Sequence, residues 1–374
     1  MTTDAAHHIA VLVPSLRGGG AERVAVDLSN HFAMCGARVD LLLVRNEGPY
    51  AGALRKEVNI VDFDKDRATR CLLPLRRYLR AERPQVMLSF LNHINILAVI
   101  AKRLSRVDTR LIVSERNSLV RFREGGLNRV LRSLTALFYP MADGIVAVSQ
   151  EMKLELSRDL GLPDKRIVAI PNPVDTEMIA GLSRHVPSHP WLHDREKPVI
   201  LAMGRLVAQK NFPVLLRAFH RVWRSHGAKL LVLGEGPLRA KLESQVVDLG
   251  IRDHVDLVGF QDNPFGWMAA SDVFVSASRY EGFPNALVQA MACGLPVVST
   301  DCPTGPREIL EDGRWGRLVP VNDAEALASA IIKTLDDPTP PDVRTRVKAY
   351  QPDQIFRQYA QILQIPDEQL RYTA

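Results

Sequence analysis

The sequence lacks any hydrophobic run long enough to cross a membrane. Nowhere in its 374 residues do about 18 apolar residues follow one another, the minimum for a transmembrane helix. The first residues, Met1 to His8, also lack the basic segment and apolar stretch of a secretory signal peptide. These two absences predict a cytoplasmic protein with no membrane-spanning segment.

Cysteine is scarce as well. The four cysteines are scattered without the spacing of a zinc site or a disulfide framework, so we predict reduced thiols and no metal or other cofactor. The tripeptide Asp62-Phe63-Asp64 matches a short Asp-x-Asp metal-binding pattern. We attribute that match to chance, because two residues at the end of an early strand recur easily. The cysteines are Cys35, Cys71, Cys293 and Cys302.

The composition is that of an ordinary α/β enzyme, with 46% apolar and 24% charged residues and a mean hydropathy of −0.05. The length allows two domains with separate cores. Short apolar runs alternate with helical patterns, which predicts doubly wound parallel sheets. Strands are predicted at 8–15, 37–44, 58–63, 85–90, 110–114, 144–148 and 166–170, then at 199–203, 229–233, 254–258, 272–276, 296–300 and 316–319.

A domain junction is predicted at Pro171-Asn172-Pro173-Val174-Asp175, where two prolines interrupt regular structure within three residues. The sequence therefore divides into an N-terminal domain, 1–172, and a C-terminal domain, 173–350. Residues 181–197 are expected to form a loose linker, and 351–374 a terminal helix.

A glycine turn, Arg17-Gly18-Gly19-Gly20, follows the first strand and precedes a helix predicted over 21–33. Glycine lets backbone approach a phosphate closely, so Gly19 and Gly20 are candidate phosphate-contacting residues. A turn that only reverses the chain would have the same sequence, and both interpretations stay open.

The most informative stretch is Ser278 to Thr300, which predicts a loop, a helix and a buried strand. Pro284 suits the first helical position, and Gly294 ends the helix. Unpaired N–H groups at the helix start form an anion site. Glu281 cannot bind that anion, so we expect it to contact something neutral or cationic beside it, such as a sugar next to a phosphate.

Two cations, Arg205 and Lys210, follow the first strand of the C-terminal domain. A strand end and a helix start would bring both side chains near one spot. A diphosphate is a natural partner, because arginine binds phosphate in a planar fork and lysine as a point charge. Two unrelated surface cations would be the alternative.

Two polar stretches, Asn92-His93-Ile94-Asn95 and Ser114-Glu115-Arg116-Asn117, follow strands of the N-terminal domain. Ligands bind beyond the carboxyl ends of parallel strands, so both stretches are candidates for a binding site. His93 could equally do no more than cap its helix.

Positive charge is concentrated between Lys65 and Arg132, where sixteen basic residues (two lysines and fourteen arginines) face five acids. The arginines alternate with apolar residues, a pattern suited to an anionic membrane surface. A solvated surface is the plain alternative. Nucleic acid is not expected, because no recognition motif accompanies the charges.

The segment Glu281-Gly282-Phe283-Pro284, followed by Gln289, resembles the donor-binding motif of the retaining glycosyltransferases of family 4. That motif is Glu, seven residues, Glu, and Gln289 stands at the second glutamate. The resemblance implies the GT-B fold: an α/β architecture of two Rossmann-like domains facing a cleft. It also implies an acceptor-binding first domain, a donor-binding second domain, and a terminal helix that returns to the first.

The resemblance implies a role for each candidate residue. Glu281, Arg205 and Lys210 would be catalytic, with Glu281 holding the sugar and the two cations on the diphosphate. In family members a histidine often follows the later of the two N-terminal strands, whereas this chain has Glu115-Arg116-Asn117. Acceptor or sugar contacts would come from His93, Glu115, Arg116 and Asn117. Donor contacts would come from Gly19, Gly20, Gly204, Gly234, Gly259, Phe260, Gly282, Phe283, Pro284, Asn285, Ala286, Leu287 and Gln289.

The implied activity is sugar transfer, with retention of anomeric configuration, from a nucleotide-diphosphate sugar to a saccharide or lipid-linked acceptor in cell-envelope polysaccharide or glycolipid synthesis. Metal is not expected to be needed. An enzyme with a basic segment of this kind could also sit on the inner face of the cytoplasmic membrane. The alternatives are an epimerase of the same fold and, given Gln289, a non-catalytic nucleotide-sugar binding subunit.

Overall fold

The chain folds into two compact units. The computed structural model describes residues 7–17, 19–120, 126–193 and 196–366, with side chains from 128 onward in the third range. The first unit runs from the N-terminus through Pro173 and resumes at Asp353, and the second unit comprises Val174–Pro352.

In the first unit, seven described strands form one parallel sheet in the order β3-β2-β1-β4-β5-β6-β7. Two central strands, His8–Val13 and Val86–Phe90, are mostly apolar and buried along their whole length, as expected when helices cover both faces of a parallel sheet. The strands are β1 (His8–Val13), β2 (Arg38–Leu43), β3 (Val58–Asp62), β4 (Val86–Phe90), β5 (Arg110–Glu115), β6 (Gly144–Ala147) and β7 (Ile167–Ala169).

Helices connect successive strands of this sheet. Gly20 is the first residue of its helix and Gly19 the N-cap, so the prediction that Gly20 belongs to the turn is wrong by one residue. The helices are α1 (Gly20–Met34), α2 (Leu72–Glu82), α3 (Asn92–Ser105), α4 (Gly126–Phe138) and α5 (Gln150–Leu160).

The second unit contains a parallel sheet of six described strands in the order β10-β9-β8-β11-β12-β13. The chain direction across the sheet reverses between β8 and β11, and ligands of doubly wound sheets bind at such a switch point. The strands are β8 (Val199–Met203), β9 (Lys229–Leu233), β10 (Val255–Gly259), β11 (Val273–Ser276), β12 (Val297–Thr300) and β13 (Arg317–Val319).

The segment predicted as a loose linker contains helical structure. A short helix, Pro190–His193, lies inside this segment, and the helix Thr176–Leu182 ends within it. Asp175 caps the helix Thr176–Leu182, because its Oδ1 accepts a hydrogen bond from the Met178 N–H at 2.8 Å. The helices of this unit are α6 (Thr176–Leu182), α7 (Pro190–His193), α8 (Phe212–His226), α9 (Arg239–Asp248), α10 (Phe265–Ala269), α11 (Asn285–Ala292), α12 (Pro306–Ile309), α13 (Ala324–Leu335) and α14 (Arg344–Val347).

The last helix, α15 (Pro352–Leu363), returns the chain to the first unit. Its buried face shares a core with the first strands and α1. The helix thus contributes Ile355, Tyr359 and Leu363 to the same apolar cluster as Ile9 and Phe32.

Pro284 is the N-cap of α11, with φ −75° and ψ 80°, and Asn285 is the first helical residue. The prediction that Pro284 occupies the first helical position is therefore wrong by one residue. The Pro284 carbonyl accepts a hydrogen bond from the Leu287 N–H at 2.9 Å, which begins the helical pattern.

The predicted α/β class of two parallel sheets is confirmed. Every predicted strand is present, and each end lies within two residues of its predicted place. Within the described part of the chain, no helix is both long and apolar enough to cross a membrane.

Candidate active site

The strongest candidate site lies at the switch point of the second sheet. It consists of the loops that follow β8, β11 and β12 at their carboxyl ends. Parallel strands end at the same edge of a sheet, so three loops distant in sequence meet there. They bring together Lys210, Glu281 and Thr304.

Glu281 is the central residue, and only 5% of it is exposed. Its Oε1 accepts hydrogen bonds from Lys210 Nζ at 2.6 Å and from Ser278 Oγ at 2.6 Å. Its Oε2 accepts from no residue in the described part of the chain. One carboxylate oxygen is therefore held in place, and the other remains able to accept a hydrogen bond from a ligand.

The backbone around Glu281 is held by the loop after β12. The Glu281 N–H donates to the Pro303 carbonyl at 3.1 Å, and Thr304 Oγ1 donates to the Glu281 carbonyl. Thr304 has φ 61°, a conformation that costs free energy for a residue other than glycine. Such strain persists where the surrounding structure enforces it, as this pair of hydrogen bonds does.

Lys210 reaches Glu281 because Gly204 leaves room for its aliphatic chain. A Cβ at Gly204 would lie 3.1 Å from Lys210 Cε and 3.2 Å from Cδ. Gly204 also has φ +154°, and its carbonyl oxygen would lie 2.2 Å from a Cβ at Gly234. Gly234 in turn donates its N–H to the Gly259 carbonyl at 2.8 Å. The structure thus brings three predicted donor-site glycines into one chain of contacts.

The start of α11 offers unpaired backbone donors beside Glu281. The N–H groups of Gly282, Phe283 and Ala286 donate to no residue that the structure describes. Together with the positive end of the helix dipole, they can bind an anion. Gly305, with φ +102°, packs close to this turn, since a Cβ there would lie 2.6 Å from Pro284 Cδ.

Three predicted site residues have exposed or unpaired side chains in this unit. Arg205 is exposed and has no hydrogen-bond or ion-pair partner among the described residues. Phe260, just after β10, is 67% exposed, so its ring can stack on a ligand. Gln289 is half-buried, one turn into α11, and its amide has no partner in the described chain.

Three other predicted donor-site residues contribute no accessible functional group. Phe283 is buried and packs edge-on against Tyr350, with ring centroids 5.4 Å apart. Leu287 is fully buried, and Pro284 has no N–H. Any donor contact of Phe283 would therefore involve its backbone N–H. The half-buried residues of this turn are Asn285 and Ala286.

The remaining predicted residues belong to the first unit. His93 is exposed in the first turn of α3, where it faces a small cavity. Gly19 is the α1 N-cap, and a Cβ there would lie 2.2 Å from Glu22 Oε2. Asn117 is half-buried, and its N–H donates to Glu115 Oε1 at 3.2 Å.

Glu115 and Arg116 lie in the interior of the first unit. Glu115 Oε2 accepts a hydrogen bond from the Tyr139 hydroxyl at 2.7 Å. Burial, and after it the negative charge of Glu115, raises the pKa of Tyr139 well above its usual range. Arg116 donates to Asn172 Oδ1 and, at 2.7 Å, to the Tyr359 hydroxyl. Burial lowers the pKa of Arg116. Hydrogen bonds within the unit thus hold both side chains, although the Arg116 Nε has no partner among the described residues. Their predicted contact with an acceptor stays a prediction.

No group of three metal-ligating side chains occurs among the residues that the structure describes. The Asp62-Phe63-Asp64 tripeptide follows β3, where Asp62 Oδ1 accepts from the Asp64 N–H at 2.8 Å in a tight turn. Cys302 lies near Glu281, and burial, then the Glu281 charge, raises the pKa of its thiol. Cys302 is therefore a neutral thiol rather than a nucleophile.

Sequence reasoning did not predict two contacts of this site, those that Ser278 and Thr304 make with Glu281. Ser278 stands three positions before Glu281 in the same loop, a spacing that could have indicated the hydrogen bond. Thr304 reaches the loop from beyond the next strand, and no local pattern predicts that contact.

Most of the chain matches two known protein families. Residues 18–178 match the family Glycosyltransferase Family 4, and residues 197–337 match Glycosyl transferases group 1. The two matches together cover most of both units of the structure.

Curated relatives match over nearly their full lengths. A lipopolysaccharide core biosynthesis glycosyltransferase, LpsE of Rhizobium meliloti, is 30% identical over 88% of this chain and 89% of its own length. An N-acetylgalactosamine-N,N'-diacetylbacillosaminyl-diphospho-undecaprenol 4-alpha-N-acetylgalactosaminyltransferase of Campylobacter jejuni is 28% identical over 93% of this chain and 97% of its own length.

Solved structures share the fold. HepE of Anabaena, in complex with UDP, superposes with a TM-score of 0.79 over 96% of this chain and 99% of its own, at 20% identity. A sucrose-phosphate synthase from Thermosynechococcus elongatus gives a TM-score of 0.78 over 96% of this chain and 98% of its own, at 19% identity. From the family matches, the near full-length relatives and these structures, the chain belongs to the family 4 glycosyltransferases and has the GT-B fold.

Proposed function

We propose that this glycosyltransferase moves a sugar from a nucleotide-diphosphate donor to a saccharide or lipid-linked acceptor in cell-envelope polysaccharide or glycolipid synthesis, and that it retains anomeric configuration. The donor would bind at the site around Glu281. UDP is the first nucleotide to test, because related folds bind it.

The observation that carries this proposal is the asymmetric environment of the Glu281 carboxylate. Oε1 is fixed by Lys210 and Ser278, which leaves Oε2 to accept a hydrogen bond from a sugar hydroxyl. The unpaired N–H groups at the start of α11 belong to residues that follow Glu281 closely in the sequence. This arrangement suits a sugar bound next to a phosphate.

Charge development during transfer assigns the other roles. The leaving diphosphate gains negative charge as the glycosidic bond breaks, and preorganised positive groups stabilise that charge. Lys210 keeps two donor positions beyond its bond to Glu281, and Arg205 has no described partner. Both cations and the α11 N–H groups would bind the diphosphate without a metal ion.

The proposed acceptor follows the relatives. The Campylobacter jejuni enzyme is named for a diphospho-undecaprenol-linked substrate, and LpsE for lipopolysaccharide core synthesis. A lipid-linked saccharide is therefore the acceptor that we propose to test first.

The surface of α2 and the end of α3 would suit an anionic membrane. Leu73 is 58% exposed and Leu104 48% exposed, and Arg76 Nε donates to the Leu104 carbonyl at 3.2 Å, which joins the two helices. Within the described chain, none of the arginines on these helix segments pairs with a carboxylate. They are Arg76, Arg77, Arg80, Arg103 and Arg106.

The test of the main proposal uses UDP-sugars. Thermal unfolding with a panel of them identifies the donor, because a ligand that binds only the folded state stabilises it. Transfer to saccharide acceptors should then release UDP and give a product with the donor's anomeric configuration, read by NMR. No stabilisation and no UDP release with any nucleotide sugar, or an inverted product, would contradict it.

Two further tests address metal and membrane. Transfer should continue in excess chelator, whereas complete loss restored by manganese would overturn the metal-free proposal. Binding to anionic vesicles should weaken steeply with salt. Reversing the charge of an arginine in this set should weaken binding further, since each contributing arginine supplies about 1 kcal/mol and a carboxylate would be repelled. Arg158, exposed on α5, gives a control reversal. Equal binding to neutral vesicles would argue against the membrane surface.

A further inference from the structure

The small cavity that His93 faces in the first unit is polar and measures about 200 Å³, and no predicted donor-site residue of the second unit lines it. It lies where the first four strands of the sheet end, and we call it the basic pocket. Its charged and titratable lining residues are Arg17, Arg45, Glu47, Lys65, Asp66 and His93.

Backbone pairing that continues past the strands builds the pocket. The Arg45 N–H donates to the Pro14 carbonyl at 3.1 Å, and the Lys65 N–H donates to the Val44 carbonyl at 2.8 Å. These bonds extend the ladders of β1, β2 and β3 by a residue or two. The backbone that carries Arg45 and Lys65 is therefore held at one edge of the sheet.

On the other side of the pocket, two loops pack closely because the residue at position 48 is a glycine. The Leu16 N–H donates to the Glu47 carbonyl at 2.9 Å, and Gly48 then turns with φ +121°. A Cβ at Gly48 would lie 2.1 Å from the Leu16 carbonyl oxygen. The loop that carries Arg45 and Glu47 is thus pressed against the loop that carries Arg17.

Positive charge exceeds negative charge in the pocket. Three cations, Arg17, Arg45 and Lys65, face two carboxylates. Glu47 already pairs with Arg17 at 2.5 Å and lies 3.9 Å from Arg45.

The second carboxylate is also neutralised. Asp66 pairs with Arg70 at 2.9 Å. Lys65 Nζ donates only to the Asp64 carbonyl, at 3.2 Å, among the described residues. Lys65 thus keeps two donor positions on its ammonium group, and Arg45 has only a distant contact with one carboxylate. Two such cations favour the binding of an anion.

The size of the pocket limits the ligand. Pockets for whole drug-sized ligands measure about 300–1,000 Å³, so a smaller pocket suits one compact group. We propose that the basic pocket binds a phosphoryl group of a substrate. Resting on the proposed function, this group would belong to the diphosphate of a lipid-linked acceptor or to the diphosphate of the nucleotide donor.

The test measures binding of inorganic pyrophosphate by calorimetry, at an ionic strength held constant with chloride, in full-length protein that carries Arg205→Ala and Lys210→Ala. These two changes weaken pyrophosphate binding at the proposed donor site, and for pyrophosphate this protein is the wild type of the comparison. The double variant Arg45→Ala/Lys65→Ala should bind pyrophosphate about tenfold or more weakly than wild type, because it loses two charge-assisted contacts. Arg158→Ala/Lys153→Ala removes the same charge from α5 and should bind as wild type. Equal affinity in wild type and the pocket variant would overturn the proposal.

A second variant changes affinity in the opposite direction, so that misfolding cannot imitate the result. Glu47→Gln removes the carboxylate that competes for Arg17 and Arg45, and it should tighten pyrophosphate binding severalfold. Unchanged or weaker binding in this variant, with a normal thermal transition, would contradict an anion pocket.

UDP binding distinguishes the two sources of the phosphoryl group. Wild-type UDP affinity in Arg45→Ala/Lys65→Ala assigns the pocket to the acceptor, whereas a parallel loss of UDP affinity assigns it to the donor. Failure of the proposed function has another signature: no UDP-sugar would bind or react, while pyrophosphate binding would still depend on Arg45 and Lys65.

Discussion

At the Glu281 carboxylate, two donors share one oxygen and leave the other unpaired. Lys210 therefore has two roles in the proposed site: it neutralises a nearly buried carboxylate and retains N–H donors for a phosphate. The sequence indicated both residues but placed them on different parts of the donor. Their direct contact depends on loops 71 positions apart, which no local pattern encodes.

Replacing either cation tests this assignment. Lys210→Ala and Arg205→Ala should each lower kcat/KM. The fall should correspond to a loss of about 2–4 kcal/mol in transition-state stabilisation, as expected for one preorganised electrostatic contact. Lys241→Ala, which removes an exposed lysine from α9 of the same unit, serves as the control. Wild-type kcat/KM in either site variant would remove that residue from the diphosphate site.

Gln289 gives the second residue-scale prediction. The amide keeps one carbonyl acceptor, so a hydrogen bond from a nucleotide ribose could be made without a negative charge near the diphosphate. We expect Gln289→Glu to change kcat/KM by less than about tenfold, or 1.4 kcal/mol. A larger change in either direction, measured at saturating and limiting donor, would show that the amide itself is required.

At the scale of single elements, the strands were predictable and the loops between them only partly so. Buried parallel strands are short apolar runs, and β8 and β9 begin and end where the sequence predicts. Helix starts were displaced by one residue at Gly20 and Pro284, because glycine and proline each suit two neighbouring cap positions. The network around Arg116 was not predictable, since Tyr359 is 243 positions away.

The loop after β8 depends on a glycine. Gly204→Ala should lower the free energy of unfolding by about 1–3 kcal/mol, because alanine is strained at φ +154° and crowds the Lys210 chain. It should also lower kcat/KM by displacing Lys210. Gly181→Ala in α6 is the matched control, since a Cβ there meets no atom within 4 Å. If Gly204→Ala is as stable and as active as that control, the close packing of Gly204 against Lys210 is not needed for folding or for catalysis.

At the scale of the whole molecule, one buried carboxylate links stability to pH. Burial alone would raise the pKa of Asp40, but hydrogen bonds from His8, Tyr78 and Asn59 outweigh it and lower the pKa to about 2. A depressed pKa contributes stability above the unfolded-state value of 3.8, and this contribution is lost as the pH falls towards 2.

We therefore expect wild-type unfolding free energy, measured with urea, to fall between pH 4 and pH 2 by about 2 kcal/mol more than that of Asp40→Asn. The variant itself should be less stable at neutral pH, since it weakens buried hydrogen bonds. Asp108→Asn, an exposed site in the same unit, should follow the wild-type curve. Parallel curves for wild type and Asp40→Asn would contradict the network's effect on the Asp40 pKa.

The central claim is that Glu281 holds the reacting sugar. The most direct measurement is the transfer rate of Glu281→Gln, with the UDP-sugar that most stabilises the wild-type protein, against the isosteric control Glu243→Gln on α9. We predict a loss of at least about 100-fold in kcat/KM, or 2.7 kcal/mol, for Glu281→Gln, with UDP affinity preserved and the control unchanged. A Glu281→Gln rate within tenfold of wild type would contradict the account.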